Sequence, residues 1–323
     1  MMYRLMHWVT GIALHWFYSS VRVEGRDRIP GDAPVLLAAS HHNALVDCLI
    51  AVWLVPRRVT ITAKATLVDN PVNAWLFRML GIVPLRRAGD EKKKSPTAGL
   101  DAARNAGAFG SLLDVLGKNG MVLIFPEGKS HSEPALAPLR TGIARIALEA
   151  RDVRKVRGLQ IVPLGLNFEE KGNPGTAVLA EVGEPILMDS MGAVDVETLT
   201  AEVARRLKAV SLKSPVASSE EGEIAGRSSG ARPFVTIAAA WGELTHRHII
   251  NFAREQAQKR GRNADDPAML TMIFGLQLIL ISYVVQFAVL AAMFNVWVAA
   301  LYVATLPVGA YWAAFKNHHR PSE

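Results

Sequence analysis

Two histidines and an aspartate stand together in ASHHNALVD, residues 39–47, where the apolar run PVLLAAS (34–40) ends. An imidazole and a carboxylate carried out of the end of a buried strand can act as a general base and its orienting partner. His42 and Asp47 are five positions apart, which on one regular helix turns their side chains about 140° away from each other. Asn43 reads as an N-cap, so His42 lies on the approach to a helix whose first turns carry Asp47. From there the ring is expected to fold back and meet the carboxylate, which would fix its tautomer and steady the imidazolium. A base so positioned contributes about 10²–10⁴ in rate. By itself the spacing says little, because a surface histidine beside a helix-start aspartate gives the same letters.

Three further stretches carry chemistry. In GIVPLRRAGD (81–90) an extended apolar run delivers Arg86 and Arg87, whose planar forks match the paired oxygens of a phosphate. Taken alone, it is equally a solvated basic turn running into DEKKKS (90–95). In LIFPEGKSH (123–131), Pro126 ends a strand and Gly128 permits a sharp turn. Glu127 then stands at the strand end, where a carboxylate is costly without partners. It is expected to accept from substrate hydroxyls or to position Arg87. In IVPLGLNF (161–168), Pro163 inside a strand pattern indicates a sheet edge or a bulge beside the site.

The order SHHNALVD, GIVPLRR, FPEG and IVPLGL resembles the four blocks of the glycerolipid (lysophosphatidate-type) acyltransferase family over roughly residues 20–190. The resemblance implies that His42 and Asp47 are the catalytic pair and that Arg87, with Arg86 beside it, grips an acceptor phosphate. Glu127 and Gly128 match the acceptor-binding block, Lys129 stands with them as a substrate-binding candidate, and Pro163 matches the last block. PLRRAGD, FPEGKSH, PLRTG and VPLGLNF…EVGEPI look most like the branch that acylates glycerol-3-phosphate or dihydroxyacetone phosphate. There are departures. The family usually has Asn where His41 stands, and often Thr-Arg where Lys129 and Ser130 stand. A basic element expected after GLNF is missing from EEKGNPGTAVLAEVGEPI.

The implied reaction moves a fatty acyl group from acyl-CoA or acyl carrier protein, as co-substrate, to a hydroxyl of glycerol-3-phosphate or 1-acylglycerol-3-phosphate. No cofactor and no metal ion is called for. His42 deprotonates the acceptor, and its oxygen attacks the thioester directly, since Ser40 and Cys48 flank the pair without being placed as nucleophiles. Backbone N–H groups near residue 43 are the expected oxyanion donors. Three other readings stand beside this one: acyl exchange between phospholipids, a metal-dependent hydrolase using His41, His42, Asp47 and Cys48 or His131, and a non-catalytic membrane scaffold. The metal reading lacks any H-E-x-x-H or C-x-x-C spacing.

Elements able to hold these groups follow from the hydrophobic pattern. Strands are predicted at 21–25, 34–40, 58–64, 122–126, 159–168 and 176–186, with helices at 43–54, 72–80, 99–118, 138–151 and 193–212. The alternation predicts an α/β domain over 21–213, its largely parallel or mixed sheet flanked by helices, with ligands at the strand ends. The single cysteine, Cys48, excludes an intramolecular disulfide. A net charge of +7 points to an anionic partner, and the absence of nucleic-acid signatures directs that expectation to lipid headgroups or a phosphorylated substrate.

The ends of the chain are apolar. Residues 1–20 place Leu5, Trp8, Val9, Ile12 and Trp16 at helical spacing, either as a helix in the membrane interface or as a cap on the core. After a Ser, Gly and Glu-rich linker (214–233) and an amphipathic helix within 234–262, residues 267–315 contain no charged side chain. That tract suits two membrane spans, near 268–290 and 296–315, with a turn at Phe294 and Asn295. Lys259, Arg260 and Arg262 before it, and Lys316 and Arg320 after it, put both ends and the catalytic domain on the cytoplasmic side. A hairpin that enters only one leaflet fits the same pattern, helped by Pro307 and Gly309.

Overall fold

Three neighbouring strands share one alternation. Leu36, Val122 and Ile161 point to one side of the sheet, while Leu37, Leu123 and Val162 point to the other. Strands buried on both faces read as continuous apolar runs, and burying each such side chain contributes about 1.5–3 kcal/mol. The structure is a computed structural model of the 323-residue chain. It describes residues 2–55, 57–64, 82–85, 100–131, 133, 135–171, 176–215, 233–260 and 266–317.

The strands are β1 (Ser20–Glu24), β2 (Val35–Ala39), β3 (Val59–Lys64), β4 (Val83–Leu85), β5 (Met121–Ile124), β6 (Gln160–Phe168), β7 (Ala177–Val182) and β8 (Ile186–Leu187). The helices are α1 (Met2–Phe17), α2 (Ala44–Leu54), α3 (Leu100–Gly117), α4 (Gly142–Leu148), α5 (Val196–Val210), α6 (Pro233–Arg260), α7 (Asp266–Met293) and α8 (Val296–Asn317). One sheet runs β1-β7-β6-β2-β5-β3-β4, with β8 also paired to β6. β6 meets β7 and β8 antiparallel, and the other pairings are parallel. Leu14 and Phe17 of α1 and Ile50 and Leu54 of α2 cover one face. Leu112 and Leu116 of α3, Ile143 of α4 and Leu199 and Val203 of α5 cover the other. The predicted mixed, largely parallel sheet between helical layers is the architecture found.

Three differences have physical causes. The strand expected over 176–186 is two, β7 and β8, separated at Gly183–Pro185. Pro163 lies in an interior strand, opposite Ala38 of β2, and at no edge. Its carbonyl accepts from Gly183 N–H at 2.9 Å, so its missing donor faces the break between β7 and β8, where no ladder bond is lost. The helix expected over 138–151 begins only at Gly142 and ends in a wider turn, Glu149–Val153. The helix expected at 72–80 lies outside the described residues, as does nearly all of the 214–233 linker.

α1 caps the core. Thr10, Leu14 and Phe17 are buried, and Gly11 sits where a Cβ would come within 2.8 Å of the Trp53 indole nitrogen. Trp8 faces outward. The 20 residues Phe274–Met293 and the 18 residues Val296–Ala313 are each long and apolar enough to cross a membrane, and the chain turns between them at Phe294–Asn295.

Candidate active site

The site grows from register. β2 and β5 are parallel neighbours with Ala38 opposite Ile124, so three residues further on His41 meets Glu127. The His41 N–H donates to Glu127 Oε1 at 2.7 Å. Beyond Pro126 and Glu127 the chain reverses at Gly128, whose φ of 78° favours glycine. A Cβ there would lie 2.6 Å from Arg140 Nε. Lys129 is exposed on this turn.

Adjacent histidines point apart. It is the His41 ring that meets Asp47, its Nδ1 lying 2.9 Å from Oδ2 while the ring stacks on Phe125 at 4.0 Å. The expectation that His42 folds onto this carboxylate is therefore corrected. Asp47, fully buried, also accepts from the Asn43 N–H at 2.7 Å. Asn43 holds the N-cap position, but its side chain does not cap. Its amide donates instead to the Tyr18 hydroxyl at 2.9 Å and the Lys171 carbonyl at 2.8 Å. Ala44 follows with φ of 44°, an unusual value for a residue with a Cβ, and donates to Ser130 Oγ at 3.2 Å. Asp47 thus fixes the turn rather than holding the second imidazole. The N–H groups of residues 43 and 44, expected as oxyanion donors, are already engaged in these bonds.

His42 is left apart. Among the described residues neither of its ring nitrogens has a hydrogen-bond partner, and Asp47 Oδ1 also lacks one. The ring lies edge-on to His131 at 4.9 Å. It lines a cavity of about 610 Å³ with Leu166, Asn167, Phe168, Lys171 and Lys213. Burial lowers the His42 pKa below the ordinary imidazole value; the negative charges of Glu127 and Asp47 oppose that, while His131 and Lys171 add to it. Cavity, free nitrogens and a pKa held low describe an imidazole able to take a proton.

Glu127 does not extend toward the cavity. Its Oε1 accepts from His41, and its Oε2 accepts from Ala137 N–H at 2.8 Å and bonds the His131 ring. These bonds join three loops, and Arg87, which Glu127 is alternatively expected to position, lies outside the described residues. His42, Glu127 and His131 also present potential ligand atoms within 4.8 Å of one another. Pro163 lies within β6, while the cavity is lined further along that strand and beyond it. Arg86 and Arg87 lie outside the described residues.

Ser40 and Cys48 are unsuited to attack. Ser40 is fully buried and its hydroxyl accepts from Leu166 N–H at 2.9 Å. Burial, with help from Asp47, pushes the Cys48 thiol up to about 12, so thiolate is scarce at neutral pH. Lys171 was missed from the sequence. Its Nζ donates to the His42 carbonyl at 2.8 Å and the His131 carbonyl at 3.3 Å, reaching back from beyond β6. The available signal was one lysine in the polar stretch EEKGN directly after a buried strand.

Residues 20–167 match the family model described as Acyltransferase. The chain is 38% identical over 85 residues to Glycerol-3-phosphate O-acyltransferase 2 of Saccharomyces cerevisiae, covering 26% of this chain and 11% of that one. It is 28% identical over 159 residues to a 1-acyl-sn-glycerol-3-phosphate acyltransferase of Cocos nucifera, covering 49% and 45% of the two chains. The crystal structure of the 1-acyl-sn-glycerophosphate (LPA) acyltransferase from Thermotoga maritima aligns with 64% of this chain and 77% of its own, at 20% identity and a TM-score of 0.49. The matched stretch is less than half the length of either curated relative.

Proposed function

We propose that residues 20–167, which match the Acyltransferase family model, form a glycerolipid-type acyltransferase domain, and that the chain transfers a fatty acyl group from acyl-CoA or acyl carrier protein to a hydroxyl of glycerol-3-phosphate or 1-acylglycerol-3-phosphate. The observation that carries this reading is His42, a residue lining a cavity of about 610 Å³ whose two ring nitrogens have no hydrogen-bond partner among the described residues. His42 removes the hydroxyl proton as the acceptor oxygen attacks the thioester carbonyl. The tetrahedral intermediate collapses, the C–S bond breaks, and the proton held by His42 goes to the departing thiolate. No acyl-enzyme forms.

Asp47 acts in two ways. It fixes the 41–43 turn through the His41 ring and the Asn43 N–H, and its buried negative charge favours the imidazolium that forms. Arg86 and Arg87 take the acceptor phosphate, as the resemblance implies, and Lys129 borders the acceptor. Basic residues at both ends of the apolar tract hold the catalytic domain to the cytoplasmic membrane face, where acyl chains and lipid products partition.

The test offers purified protein labelled acyl-CoA or acyl carrier protein with glycerol-3-phosphate, dihydroxyacetone phosphate and 1-acylglycerol-3-phosphate in parallel, and identifies products by mass. One acylated phosphoglycerol product is expected, formed equally in the presence of chelator. A folded His42→Ala protein with undiminished transfer would sink the assignment of the base.

A further inference from the structure

The C-terminal helices raise a question of routing. α6 runs along α8: a Cβ built on Gly242 would lie 2.0 Å from the Gly309 carbonyl oxygen, and Trp241 Nε1 donates to Thr305 Oγ1 at 3.2 Å. On its other flank His246 meets the Tyr283 hydroxyl of α7 at 2.7 Å. Only residues 261–265 join Arg260 to Asp266, so the C-terminus of α6 lies at the open end of the α7–α8 hairpin. Its N-terminus is therefore directed toward the Phe294–Asn295 turn, with about 13 Å of helix between Gly242 and Pro233.

A hairpin that crossed the bilayer would put that turn on the far side. With the catalytic domain at the open end, the connecting stretch 216–232 would have to cross to reach Pro233, taking Glu220, Glu221, Glu223, Arg227 and Arg232 with it. With the domain on the side of the turn, α6 itself would cross, and its exposed face carries Arg247, His248 and Glu255. Charges in the hydrocarbon are strongly unfavourable unless they face a partner or a water-filled cavity, and Arg247, His248 and Glu255 are exposed.

We propose that α6, α7 and α8 form a slab lying in one leaflet, parallel to the membrane plane. The outer faces of α7 and α8 enter the acyl chains, and the charged face of α6 stays in the headgroup layer. Leu280 and Val284 of α7 and Trp297 and Leu301 of α8 supply the apolar side, exposed by 55, 68, 81 and 73% respectively. The charges are distributed as such a slab requires: residues 267–315 have none, while the exposed face of α6 mixes Arg247, Glu255 and Lys259 with Ile237, Leu244 and Phe252, as a helix at the headgroup boundary does. α1 touches α8 and α2 touches α7, so the slab adjoins the helical layer that carries Asp47.

The test adds one cysteine at a time, at Asn295, Lys259 or Val284, to the full chain, in sealed vesicles of phosphatidylethanolamine and phosphatidylglycerol. Labelling by a membrane-impermeant maleimide is compared with that of the wild-type chain, whose one thiol is Cys48. The slab predicts that N295C is reached from the same side as K259C or from neither side. It also predicts that V284C labels at least about ten-fold more slowly than K259C, because lipid covers it. Two results overturn the proposal: N295C reached only from the side opposite K259C, which means a span, or V284C labelled as fast as K259C, which means no immersion.

Discussion

Two polar clusters sit in this molecule and end differently. In the helical unit, Trp241 bonds Thr305, His246 bonds Tyr283, and Tyr302 bonds Gln286. At the strand ends, His41 and Glu127 are equally well bonded, yet among the described residues both His42 nitrogens, Asn43 Oδ1, His131 Nδ1 and Asp47 Oδ1 are left over. A buried polar atom without a partner costs free energy, so it persists only where something else requires it. The first cluster positions helices, whereas the second leaves an imidazole without a hydrogen-bond partner among the described residues, as the proposed base requires.

Substitutions in each cluster can break that contrast. His42→Ala is expected to cut acyl transfer by about 10²–10⁴ with unfolding temperature unchanged, because among the described residues the ring makes no hydrogen bond that the fold would lose. A matching loss of stability would mean that the ring is architectural. Glu127→Ala should cost about 3 kcal/mol in urea unfolding, since it strands the His41 and Ala137 N–H groups and the His131 ring. His41 separates the roles of the neighbouring imidazoles. His41→Ala should cost about 1–3 kcal/mol by leaving Asp47 Oδ2 short of a donor, whereas His41→Asn can still donate and should keep most activity. In the helical unit, Tyr283→Phe should cost only about 1 kcal/mol and leave transfer rates untouched. Smallest is a pH effect. With His42 acting as base and its pKa lowered, kcat/KM should rise with pH to a midpoint below about 6.5. The same shift makes the unfolded chain bind the proton first as pH falls from about 6.5, so the fold loses stability down to the lowered pKa and no further. Comparing wild type with His42→Gln in urea isolates that contribution.

Local pattern carried the sheet and its helices, because continuous apolar runs and helical spacing are properties of neighbouring residues. PVLLAAS and IVPLGLNF could hardly be anything but buried strands. The choice between His41 and His42 was different. It depends on the left-handed turn at Ala44 and on β5 lying beside β2 in a register that brings Glu127 under the His41 N–H. Neither can be read from eight letters. Lys171 was hidden for the same reason, being 129 positions from the carbonyl it holds. Pro163 misled because the rule that places proline at edges assumes an unbroken neighbour, and here the neighbour is broken.

β1 pairs with β7, placing Ser20 beside Ala177, a separation of 157 residues. Such a pairing closes a large loop, which slows folding. At about 5–20 residues per second, ribosomes leave the first strand waiting on the order of ten to thirty seconds for its mate. For that interval its backbone donors are open to any other strand edge, and a nearby bilayer surface that engages α1 early would keep nascent chains from pairing with one another.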